Sequence, residues 1–148
     1  MQAHRYLRAY MAGITLPAAF LLIALTVFCI ARFVYEVPVP IERLIVFPMA
    51  LAPNIFGAWN MLYVAIREQH RWNIGLHGAL LPFLLAPGGF LLADLLGFAN
   101  TAPQGLMYFN TVEVPYAYIA VILPIGIAIY YLIWKYVVSF FNSVLEIA

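Results

Sequence analysis

The sequence predicts an all-α membrane protein: a four-span transmembrane helical bundle, N-in and C-in, with proline-kinked helices. Three observations predict it. The chain is 66% hydrophobic and only 9% charged, with a mean hydropathy of +0.97, whereas soluble domains carry about 25% charged residues. No Asp, Glu, Lys or Arg lies between Arg8 and Arg32, Arg43 and Arg67, Arg71 and Asp94, or Glu113 and Lys135, gaps of 23, 23, 22 and 21 residues. A bilayer core of about 30 Å needs about 20 residues of helix. Each gap also has a proline close to its midpoint: Pro17, Pro53, Pro82 and Pro124.

The elements follow in order within a single transmembrane domain, residues 1–148. The first span covers about 10–31. A cleaved signal peptide is the competing reading, because Arg5 and Arg8 precede an apolar run. That run, Met11 to Ala31, is too long for an h-region of roughly 7–15 residues, and no small-residue cleavage site stands out. The second span covers about 43–66 and the third about 74–97. An outer loop, 98–114, is polar and marked by Pro and Gly at NTAPQG. It then turns into LMYFNTVEV, which suits a short extended piece. The fourth span covers about 115–137, and the tail YVVSFFNSVLEIA continues the helix at the inner interface.

Orientation follows from charge. Four spans put both termini on one side, with Arg5, Arg8, Arg67, Arg71 and Lys135; Arg32 and Arg43 lie on the other. Five cations against two favour N-in and C-in by the positive-inside rule. The aromatics agree, since phenol and indole groups favour the half-wet interfacial layer. Tyr6, Tyr10, Tyr63, Trp72, Trp134 and Tyr136 gather at the inner level, and Tyr35, Tyr108, Tyr116 and Tyr118 at the outer one. The expected location is an integral, multi-pass position in a bacterial inner membrane or another membrane facing the cytoplasm.

The second span is the unusual one. FPMALAPNIFGAWN places Pro48, Pro53, Asn54, Gly57, Trp59 and Asn60 within a few turns, and each is costly against hydrocarbon. The span is therefore expected to face protein. Small residues at i, i+4, i+8 let helix backbones approach, and two such sets occur: Ala50, Asn54 and Ala58, and Gly89, Ala93 and Gly97. Each midplane proline also removes a backbone donor and frees the carbonyl four residues earlier. Those carbonyls, of Gly13, Met49, Gly78 and Ala120, need a partner that hydrocarbon does not supply. PMALAPNIF and PFLLAPGGF look alike, but in so apolar a chain the likeness does not establish a repeat.

The candidate ligand site gathers Pro53, Asn54, Trp59, Asn60 and Pro82 near the midplane, with Asp94 as the one carboxylate inside a span. Plain packing competes with it, because proline is common in membrane helices. For Asp94 the competing readings are an ion pair with Arg32 or Arg43, or interfacial hydration. A weaker candidate is a metal site from Glu68, His70 and His77, with His4; no ligand-spacing motif supports it. A membrane b-type haem needs two histidines on facing helices well inside the bilayer, and only His77 comes close. Cys29 is single, which excludes an intrachain disulfide. No phosphate loop, nucleophile elbow or metalloprotease motif occurs, and no cofactor is implied. A net charge of +1 without a basic run argues against nucleic acid.

Three functions compete. The leading expectation is a non-catalytic multi-pass membrane protein, a subunit of a homo-oligomer or of a larger membrane complex, with lipids and other membrane chains as partners. The alternative is a small channel, carrier or lipid-binding protein that uses the midplane site. The third is a membrane enzyme acting on a lipid or quinone at the inner interface through Glu68, His70 and His77.

Overall fold

The structure, a computed structural model, describes residues 2–38, 47–70, 72–97, 99–108, 110 and 112–147. The side chains of residues 2, 3, 47–49 and 68–70 lie outside that description, as do Arg43 and Arg71 altogether. The described chain is mostly helical: α1 (Gln2–Phe33), α2 (Phe47–His70), α3 (Ile74–Leu95), α4 (Tyr116–Leu132) and a short α5 (Ser139–Val144). Pro17, Pro53, Pro82, Pro87 and Pro124 all lie inside helices, and each helix continues through its proline. At Ile133–Val138 a π-helical turn joins α4 to α5.

Three helices are long and apolar enough to cross a membrane: His4–Phe33, Ile74–Leu95 and the run Tyr116–Val144. The sequence predicts four. α2, at 24 residues, is of similar length but is not among them over its described residues. Asn54, Trp59, Asn60 and Arg67 dilute its apolar character.

The chain divides into two units: residues 1–72 with 136–148, and residues 73–135. In the first, α1 packs along α2. Gly13 and Gly57 face each other at close range. A Cβ on Gly13 would stand 2.5 Å from the Phe56 carbonyl oxygen and 2.9 Å from the Gly57 Cα, far inside van der Waals contact. A Cβ on Gly57 would strike the Tyr10 ring. Beyond this crossing Ala9, Ala12, Val64 and Ile147 form a buried cluster, flanked by Tyr6, Met61, Tyr63, Phe141 and Leu145. Small alanines on α1 leave the room that Ile147 fills.

α5 ends in a Schellman motif, in which a left-handed residue lets the last amides turn back on the helix. Glu146 takes the left-handed position, at φ 53°. Ile147 N–H donates to the Asn142 carbonyl at 2.9 Å, and Glu146 N–H to that of Ser143 at 3.0 Å.

In the second unit α3 packs on α4. Asn73 caps α3, its Oδ1 accepting from Gly75 N–H at 2.8 Å. At the other end Gly97, at φ 73°, occupies the left-handed position after the helix, and its N–H donates to the Asp94 carbonyl at 2.9 Å. Glycine adopts that conformation without a Cβ clash. The segment between α3 and α4 is more ordered than one extended piece. β1 (Ala99–Thr101), β2 (Gly105–Tyr108) and β3 (Val112–Pro115) make an antiparallel sheet in the order β1-β2-β3. Thr101 pairs with Leu106, and Tyr108 with Val112. Pro103 sits second in the Ala102–Gly105 turn, where its fixed φ is favoured. Tyr116 N–H donates to the Gln104 carbonyl at 3.0 Å, which ties the sheet to the start of α4.

Within the chain, neither small-residue set forms a packed face along its length. Ala50, Asn54 and Ala58 are exposed on α2. α2 packs instead through Phe56, Gly57, Asn60 and Val64, which are buried. Gly57 opposite Gly13 permits a closer crossing than alanines do, so the packed face is rotated from the predicted one. On α3, Gly89 has nothing within 4 Å of a built Cβ, Gly97 serves as a cap, and Ala93 alone is buried.

Candidate functional site

The polar groups of α2 converge on α1 and α5 rather than on an open space. Asn60 is fully buried, and its Nδ2 donates twice: to the Ala9 carbonyl at 2.8 Å and to Asn142 Oδ1 at 2.8 Å. Asn142, itself 1% exposed, returns a bond from its Nδ2 to Asn60 Oδ1 at 3.1 Å. A helix carbonyl has two lone pairs, so Ala9 accepts this second donor without leaving its helix. The two amides thus form a closed reciprocal pair that joins three helices.

A second polar contact joins α2 to α1. The Tyr10 hydroxyl donates to Asn54 Oδ1, and Asn54 Nδ2 donates to the Ala50 carbonyl at 2.6 Å. Gly57 makes this possible, because the Tyr10 ring lies over it. Asn54 remains exposed, and Pro53 and Trp59 are half-buried. Asn54 and Asn60 each have their own hydrogen-bond partner on α1.

At the end of α5, two arginines meet backbone carbonyls. Arg8 Nη1 donates to Leu145 O at 3.0 Å, and Arg67 Nη2 donates to Ile147 O. The Glu146 carboxylate lies 3.8 Å from Arg8 Nη1, with its side chain 87% exposed. A helix carboxyl end carries partial negative charge on its unsatisfied carbonyls, and cations there are favourable.

In the other unit the buried feature is aromatic. Trp134 and His77, 0% and 1% exposed, meet edge to face, with ring centroids 5.7 Å apart and planes at 69°. Gly78 opens the slot for the indole, since a Cβ there would overlap Trp134. Trp134 is thus packed against protein within the chain. Pro82 is buried one turn further along α3, and Asp94 is exposed in the last turn. The side chains of Glu68 and His70 lie outside the described residues. Among the described residues no three His, Cys, Asp or Glu side chains stand close enough to hold a metal ion.

Sequence reasoning missed Asn142, Tyr10 and the two arginines as a set. A signal existed for Asn142, an amide in the otherwise apolar helix VVSFFNSVL, where a buried polar group must find a partner. Chemically the arrangement holds helices together. The Asn60 and Asn142 amides carry no titratable proton, and each uses the other as donor and acceptor. No family model matches the chain, nor does a curated protein or a solved structure.

Proposed function

We propose that the chain is an integral membrane protein of four spans that acts as a non-catalytic subunit, in a homo-oligomer or a larger membrane complex. The distribution of polarity carries this reading, because it is reversed from that of a soluble domain. Phe20, Ile23 and Val27 on α1, Phe83, Leu84 and Leu91 on α3, and Val121, Ile122 and Ile125 on α4 are exposed, while Asn60, His77 and Asn142 are buried. The exposed hydroxyls of Thr15 and Thr26 donate to carbonyls four residues earlier, at 2.8 and 2.9 Å. Polar groups that meet lipid are satisfied within their own helix in this way.

α2 fits the same pattern as the fourth span. Its 24 residues reach about 36 Å at 1.5 Å each. The amides that lower its hydropathy, Asn54 and Asn60, hydrogen-bond to protein, so the helix presents fewer open polar groups than its composition suggests.

A subunit role is supported by surface left uncovered on α3 and α4. Ala86, Pro87, Gly88 and Gly89 are exposed in succession, and a Cβ at Gly88, Gly89 or Gly126 would meet nothing within 4 Å. Bare backbone suits the close approach of another membrane helix. Native mass spectrometry from nanodiscs tests the role. The wild type is expected as an oligomer or a multi-chain complex, and Gly89→Leu, which fills open space, is expected to dissociate it with the helix content unchanged. A monomeric wild type that releases cleanly from its membrane overturns the reading.

A further inference from the structure

We infer that Arg8 and Arg67, at the carboxyl end of α5, bind the phosphate of an anionic phospholipid headgroup. This rests on the membrane reading proposed above. α1 supplies Arg8 and α2 supplies Arg67, and each gives one N–H to a neutral carbonyl, of Leu145 and Ile147 respectively. Those carbonyls are two residues apart, which puts the donating nitrogens within about 13 Å of each other. A guanidinium has five N–H donors and a permanent charge, so most of the donor capacity of both groups lies beyond these two bonds.

The charge balance points the same way. The α5 terminus offsets about half a unit of positive charge. Glu146 faces Arg8 across 3.8 Å, but it is 87% exposed and its attraction is screened. Among the described residues Arg67 is within ion-pair distance of no carboxylate, although it is half-buried. A half-buried cation favours a counter-ion, and basic sites between membrane helices take anionic headgroups in this manner. Phosphate fits the chemistry, since guanidinium matches its oxygens two at a time. Tyr6 and Tyr63 are partly buried against the Ile147 cluster, and phenols favour the interfacial layer where headgroups lie.

The test is native mass spectrometry of the full chain in neutral detergent, with phosphatidylglycerol, phosphatidylcholine or inorganic phosphate added in turn. One retained phosphatidylglycerol per chain is expected, with phosphatidylcholine held at least tenfold more weakly and inorganic phosphate not retained. Arg67→Gln and Arg8→Gln should each weaken phosphatidylglycerol at least tenfold. Because either variant can loosen the docked tail, Glu146→Gln is the second arm: it keeps both arginines and removes the competing carboxylate, and should tighten binding about threefold. Equal retention of the two lipids, retention of inorganic phosphate in place of lipid, or unchanged binding in Glu146→Gln overturns the site. Carbonate extraction separates the two readings: a chain that stays in the pellet but holds no phosphatidylglycerol loses only the site, whereas one released to the supernatant loses the membrane reading itself.

Discussion

Asn60 and Asn142 bury two primary amides, and each completes the other. Removing one leaves its partner's donors and acceptor buried without a bond, a cost of about 1–3 kcal/mol. Removing both together leaves apolar surface in apolar surroundings. Asn60→Leu and Asn142→Leu should therefore each lower unfolding free energy in a denaturant titration by about 1–3 kcal/mol. The double variant should be less destabilised than the sum, a coupling of about 0.5–2 kcal/mol on the scale of interhelical bonds in membranes. Strict additivity would remove the pair as a structural unit. At this scale the sequence was legible in part. Asn60 stood out as a polar residue needing protein, but its partner lies 82 positions away, and no local pattern joins the two.

At the scale of the element, a π turn at Ile133–Val138 interrupts the α-helical run between α4 and α5. Within residues 73–135, Gly78 opens the slot that Trp134 fills. Gly78→Ala puts a methyl against the indole and should lower unfolding free energy in a denaturant titration by about 1–3 kcal/mol. Unchanged stability would show that the slot does not hold the ring. Apolar stretches between charges located the long helices, because only backbone bonding within a helix suits so apolar a chain. The π turn at Ile133–Val138 left no such trace.

For the whole molecule, the charge pattern predicts which ends share a side. With Cys29 replaced by Ser, single cysteines at Glu36 and Asn100 should react with a membrane-impermeant maleimide from outside intact cells, and cysteines at His4 and Glu146 only after permeabilisation. Labelling of His4 and Asn100 from the same side would break the four-span topology. By itself the sequence determined that the chain is mostly helical and apolar, and where its long helices lie, because uncharged length and hydropathy are sums over neighbouring residues. It also marked Asn54 and Asn60 as residues needing partners. Only the tertiary structure decided that α1 and α2 meet at Gly13 and Gly57 rather than along Ala50 and Ala58, that Trp134 is buried against His77, and that Arg8 and Arg67 meet the end of α5. Each of these depends on which face of a helix finds a partner, and that is settled by contacts between residues far apart in the chain.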